Sequence, residues 1–178
     1  MSDRRVRPAV PADAERLAHI KVVTWRAAYR GLLPDTVLDD LSVTHFVDQF
    51  RDRINATLAA DTTAQTALVV EEAAEVVGYG MAGPYRGDDL PQAGEIYALY
   101  VEPSAWGHGA GAELLAATES HLVRNGFDRA ALWVLASNAA GQGFYRAMGW
   151  TPDGERGNHC EIDHAPEVRY RKNLAGGP

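Results

Sequence analysis

Between Trp106 and Ala112 the chain reads Trp-Gly-His-Gly-Ala-Gly-Ala, three glycines at alternate positions after the apolar segment Ile96-Tyr97-Ala98-Leu99-Tyr100-Val101. Glycine has no Cβ to hold the backbone off a ligand, and the first N–H groups of a helix have no acceptor within it. A glycine loop that feeds a helix is therefore a cradle for an anion, most simply a phosphorylated cofactor. Two kinds of phosphate loop can be tested on the residues. Gly107-His108-Gly109-Ala110-Gly111-Ala112 satisfies the dinucleotide pattern G-x-G-x-x-[GA], but that site wants an acid at the end of the next strand, about 20 residues on. Here that strand ends Val134-Leu135-Ala136, and Asp128 lies before it. The nucleoside-triphosphate loop needs Gly-Lys-Ser/Thr, whereas Gly111 is followed by Ala112-Glu113. Neither chemistry has its partners.

The elements that must position such a loop are legible around it. Gly111, Leu114, Leu115, Thr118 and Leu122 recur at spacings of three and four, a helix that Gly126 stops. Ala130 to Leu135 reads as a strand, and Asn138 opens a shorter helix with Phe144 and Met148 on one face, ended by Gly149 before Trp150. Upstream, Arg4 to Val6 is a first strand. Leu17, Ile20, Thr24 and Ala27-Ala28 mark an amphipathic helix ending near Gly31, and Pro34 to Leu41 and Val43 to Leu58 read as further helical pieces. Ala67 to Glu71 and Val76 to Met81 form a hairpin, and residues 83 to 94, rich in Gly, Pro and Asp, are a loop of the kind that carries specificity.

Strand, glycine loop, helix, strand and helix in this order resemble the GNAT superfamily of acyl-CoA-dependent N-acetyltransferases, whose cofactor loop reads Gln/Arg-x-x-Gly-x-Gly/Ala. Gly109 and Gly111 fall on the loop's glycine positions, while Trp106 stands where the family carries Gln or Arg. Asn138, Tyr145 seven residues later and Gly149-Trp150 are similar to the family's Asn, Tyr and Gly-Phe. The resemblance covers residues 67 to 151 well, and the Arg4 to Val6 start, the helical region 11 to 60 and the Glu167 to Lys172 end more loosely. It implies a single α/β domain over residues 1–178, with a central mixed, mostly antiparallel sheet splayed at the cofactor site and flanked by helices. It also implies acetyl-CoA as acyl donor and direct attack by an amine in a ternary complex.

Carried over residue by residue, the resemblance assigns the cofactor pyrophosphate to the backbone of Gly107, His108, Gly109, Ala110, Gly111 and Ala112. The pantetheine arm falls to the backbone of Leu99, Tyr100 and Val101, and cofactor support to Asn138, which also suits a plain N-cap. Tyr145 becomes the general acid, since a phenol with an ordinary pKa near 10 stays protonated at neutral pH. A base is also needed. An amine of pKa about 10.4 is neutral roughly once in two thousand at pH 7, a handicap of about 4–5 kcal/mol. Glu95 matches a glutamate that some family members use, and by period two it shares a face with Tyr97 and Leu99. Members that acetylate ribosomal protein N-termini carry a glutamate five residues before the asparagine, where this chain has Trp133.

Trp25 and Tyr29, four apart on one helix face, are candidates to line the acceptor pocket, with Asp35, Asp39 and Asp40 nearby; an aromatic pair at this spacing more often belongs to a core. His159, Cys160, Glu161, Asp163 and His164 match no standard zinc spacing and read as a polar loop, so no metal is expected. At 178 residues and 46% hydrophobic, the chain fits one globular domain. It has no apolar run of bilayer length and no signal-peptide pattern, and its lone Cys160 cannot form an internal disulfide. Cytoplasmic placement and no membrane partner are the expectation. A net charge of −7 argues against nucleic acid and is compatible with a cationic acceptor, a small-molecule or peptide amine. A homodimer is left open. Two other classes also stay open. A nonenzymatic acyl-CoA sensor would leave Glu95 and Tyr145 idle, and a nicotinamide-dependent oxidoreductase would need the missing ribose acid.

Overall fold

The computed structural model describes residues 4–60, 63–157 and 165–174. Seven strands, β1 (Arg4–Pro8), β2 (Thr66–Glu72), β3 (Glu75–Pro84), β4 (Gly94–Val101), β5 (Arg129–Leu135), β6 (Thr151–Gly157) and β7 (Glu167–Asn173), form one sheet in the order β1-β2-β3-β4-β5-β7-β6. All neighbours are antiparallel except β4 and β5. The β2–β3 hairpin turns on Ala73 and Ala74, both at positive φ, as a two-residue turn matched to strand twist requires.

Helices α1 (Ala14–Tyr29), α2 (Asp35–Asp39) and α3 (Val43–Ala59) cover one face, where Leu17, Ile20, Phe50 and Ile54 meet Val69, Tyr79 and Met81. Helix α4 (Ala110–Arg124) covers the other, burying Leu114, Leu115 and Leu122 against the sheet, and α5 (Ala139–Ala147) borders it with Phe144 and Tyr145. Arg16 ties α1 to the end of β4, its Nε donating to Val76 O at 2.7 Å and its Nη2 to Glu102 at 2.6 Å. The predicted elements appear within a few residues of their expected bounds. β6 and β7 are the strands the sequence reading leaves out, and for β6 the reason is plain: Thr-Pro-Asp-Gly-Glu-Arg-Gly has no apolar alternation, because it is a largely exposed edge strand where proline and glycine are tolerated.

Two irregularities make the site. β4 and β5 pair over three residues only, Gly94–Ala130, Glu95–Ala131 and Ile96–Leu132, and then part. Against β3, Met81 pairs with Ala98 and Ala82 with Ile96, so Tyr97 is the extra residue of a bulge. The bulge flips the alternation. Tyr97 and Tyr100 lie on the α1–α3 face, while Leu99 lies on the α4 face against Leu114 and Leu115. The expected common face of Glu95, Tyr97 and Leu99 therefore stops at Tyr97.

Candidate active site

The parting of β4 from β5 opens a cavity of about 770 Å³ that is lined from the glycine loop to the α1–α3 face of the sheet. At the loop end, Gly107 and Gly109 sit at φ +77° and +93°, a region that L side chains rarely adopt, and α4 begins at Ala110. Gly111 has no such need: a Cβ there would make ordinary contact with Phe144 and Val101. Gly107, Gly109, Gly111 and Ala112 line the cavity. Ala110 is buried in the sheet-side core, and His108 is exposed with its carbonyl taken by Arg4 Nη2 at 2.7 Å, so neither of these two side chains faces the cavity.

Trp106, at the position where Gln or Arg is expected, donates its indole N–H to Val101 O at 2.6 Å, and Thr24 Oγ1 donates to the same carbonyl at 3.1 Å. These bonds fix the end of β4 to both the loop and α1. Glu102 N bonds to Val77 O at 2.8 Å. By antiparallel alternation Tyr100 then turns its backbone groups toward β3, while Leu99 and Val101 turn theirs toward the gap with β5. Tyr100 is thus separated from the other two. Its ring belongs to the wall on the α1–α3 side, 6.3 Å from Trp25 and 5.6 Å from Tyr79.

Tyr145, on α5, lines the same cavity. Its ring packs on Phe144, Trp150 and Tyr170 at centroid distances of 5.2, 6.3 and 6.4 Å, so it is structural as well as available. Withdrawal from water first, and neighbouring Tyr29 second, hold its pKa well above the ordinary phenol value. The hydroxyl keeps its proton throughout the neutral range. Asn138 lines the cavity and also caps α5, its Oδ1 accepting from Gly141 N at 2.9 Å.

Glu95 departs from the expectation of a carboxylate open to an amine. It is 2% exposed, and Arg86 surrounds it: the backbone N–H donates to Oε2 at 2.9 Å, Nη2 to Oε1 at 2.6 Å, and Nε reaches both oxygens at 3.2 Å. Both carboxylate oxygens are thus occupied by donors from Arg86, and neither is presented bare to the cavity. The pair ties the 85–93 loop to the floor of the cavity. Beside it, Arg86 lies 4.6 Å above the Tyr97 ring, and Tyr97 donates to Pro84 O at 2.6 Å, its pKa pushed up to about 12 by burial and then by Glu95.

Trp25 and Tyr29 stack edge to face at 5.1 Å and both line the cavity, so the core and pocket readings of this pair hold together. Asp35 and Asp39 instead pair with Arg30 at 3.0 and 2.9 Å, and they and Asp40 lie away from the cavity lining. The cluster from His159 to His164 lies outside the described residues. Among those described, no group of three or more His, Cys, Asp or Glu could hold a metal, and no helix is long and apolar enough to cross a membrane.

Lys21, Arg53 and Arg86 also reach this cavity. Arg86 lay within the loop flagged for specificity. Lys21 and Arg53 gave no sign, since a single cation beside an apolar helical stripe reads as a solvated flank.

Comparison with known proteins follows the same lines. A model of the Acetyltransferase (GNAT) family matches residues 25–150. The uncharacterized N-acetyltransferase YuaI of Bacillus subtilis is 31% identical over 133 residues, covering 75% of this chain and 72% of that protein. Among solved structures, PaiA N-acetyltransferase from Thermoplasma acidophilum, in complex with coenzyme A, aligns with a TM-score of 0.78 at 16% identity, over 96% of this chain and 99% of that one. YncA from Salmonella typhimurium, solved with its cofactor acetyl-CoA, aligns with a TM-score of 0.74 at 20% identity, over 99% of this chain and 97% of that one.

Proposed function

The chain belongs to the Acetyltransferase (GNAT) family, and from that premise we propose that it transfers an acetyl group from acetyl-CoA directly to an amine in a ternary complex. The observation that carries the proposal is the single cavity. The β4–β5 gap, the positive-φ loop and the Tyr145 hydroxyl open into one space whose far end is walled by aromatic residues. Acetyl-CoA supplies a thioester whose C–S bond breaks as the amine's N–C bond forms, the amine shedding a proton and the sulfur gaining one. Residues 107 to 112 fit its pyrophosphate: two left-handed glycines let the backbone approach, and the start of α4 directs N–H groups there. Leu99 offers its backbone groups in the gap and Val101 its N–H, the Val101 carbonyl being held by Trp106 and Thr24, and Tyr145 Oη holds the proton on the leaving-group side. Cys160 lies outside the family motif, so no covalent acyl-enzyme is invoked.

Saturating acetyl-CoA is expected to raise the melting temperature, because a ligand selective for the native state adds about 2.7 kcal/mol at a hundred times its dissociation constant. NADH should leave the temperature unchanged. The reverse pattern would return the loop to dinucleotide chemistry, and binding without thiol release from any acceptor would favour the acyl-CoA sensor.

Glu95, bound by Arg86, positions the loop over the acceptor, and the amine is drawn from its neutral fraction with water receiving the proton. For Glu95→Gln the expected pH–rate profile keeps the wild-type shape. In both proteins kcat/KM should rise about tenfold per pH unit below the amine's own pKa, as the neutral fraction does. Loss of turnover near pH 7 in the mutant alone, recovered at higher pH, would give the base role to Glu95.

A further inference from the structure

The acceptor end of the cavity carries a charge that the whole chain does not. The formal net charge of −7 by itself suits a cationic acceptor. The charged side chains lining the cavity, however, are Lys21, Arg53 and Arg86 against Glu95 and Glu167. One of those carboxylates, Glu95, is already bound by Arg86 at 2.6 Å.

Arg53, on α3, stands apart from the other cations. Among the described residues no carboxylate lies within ion-pair distance of it, and its guanidinium meets only Met81 Sδ, at 3.8 Å, a weak acceptor. A guanidinium presents five donors in a rigid fork that matches a carboxylate. A second and independent observation lies on the α1 wall. Trp25 is 5% exposed, and its buried indole N–H forms no well-aligned hydrogen bond among the described residues, the Tyr100 side chain beside it being its nearest polar neighbour. A buried donor left in that state destabilises the fold unless something supplies an acceptor.

We propose that the acceptor is an amine that also bears a carboxylate, an amino-acid-like molecule. Arg53 holds the carboxylate, and the rings of Phe50, Tyr79 and Tyr97 hold the body of the molecule. Trp25 N–H gives a further donor to one of its oxygens. A polyamine, by contrast, would bring a second cation into a space already lined by Arg53 and Lys21. The inference rests on the acetyl-transfer reading above.

The test is acetyl-CoA-dependent thiol release over matched pairs: phenylalanine against phenethylamine, tryptophan against tryptamine, and leucine against isoamylamine, with spermidine beside them. Wild type, Arg53→Gln and Arg53→Lys are compared. Wild type should favour each acid over its decarboxylated partner about 10- to 100-fold in kcat/KM, mainly through KM, the range of a charge-assisted hydrogen bond. Arg53→Gln should erase most of that preference, and Arg53→Lys should restore part of it. A wild-type preference for spermidine or the decarboxylated amines overturns the proposal, as does an Arg53→Gln loss that is equal for both members of a pair. Melting temperatures with acetyl-CoA, measured on the same three proteins, separate the two levels. Stabilisation by acetyl-CoA with no acid acetylated overturns the acceptor class alone, whereas no stabilisation overturns the acetyl-transfer reading beneath it.

Discussion

Tyr145→Phe is expected to cut turnover about 10- to 1000-fold while leaving acetyl-CoA affinity nearly unchanged, taking about 10²–10⁴ as the usual reach of general acid catalysis. The substitution removes one oxygen and keeps the ring, and the ring makes the packing contacts with Phe144, Trp150 and Tyr170. Stability should therefore hold. Burial and Tyr29 keep the hydroxyl protonated well past neutral pH, which weakens it as an acid but ensures that the proton is there to give. No loss of activity from its ionisation should appear up to about pH 10. Unaltered turnover, measured where chemistry limits the rate, would leave Tyr145 with packing alone.

The parts of this site that were legible in the sequence are those where backbone chemistry constrains residue type. A left-handed position before a helix calls for glycine, and Gly107 and Gly109 are such positions. Asn138 reads as a cap because its side chain accepts an orphan N–H of the following turn. The period-two reading of β4 failed at Tyr97 because a bulge is a property of strand pairing: nothing in Ile-Tyr-Ala-Leu-Tyr announces that Met81 will pair with Ala98 and Ala82 with Ile96. The surroundings of Glu95 were hidden in the sequence for a related reason. Its burial and its contact with Arg86 depend on how the 85–93 loop folds back over the strand, and the loop's composition leaves that unspecified. Net charge is a poor guide to the acceptor, because a sum over the chain says nothing of which charges line one cavity. Asp35 and Asp39 contribute to the −7, yet they are spent on Arg30. Arg53, by contrast, acquires its meaning only from Met81 and Tyr97, which lie across the sheet face it covers.

Gly109→Glu should abolish the stabilisation that acetyl-CoA confers, and it tests the loop at its most constrained residue. Gly109 is the N-cap of α4 at φ +93°, so any side chain there costs about 1–2 kcal/mol in backbone strain. A Cβ at this position would lie 3.2 Å from Arg4 Nη1, the flexible end of a side chain that can shift by a few tenths of an ångström. At about 2–4 °C per kcal/mol for a domain of this size, the free protein should melt roughly 2–8 °C lower and still fold. The added carboxylate stands at the helix terminus where the pyrophosphate would bind, and it competes for the same N–H groups. Gly109→Ala carries the same backbone strain without the charge, so it separates the two effects: it should bind acetyl-CoA more weakly than wild type but measurably. If Gly109→Glu is stabilised by acetyl-CoA as fully as wild type, the pyrophosphate does not lie at this loop. If Gly109→Ala loses binding as completely as Gly109→Glu, the loop acts through its conformation and not through the charge at the helix terminus.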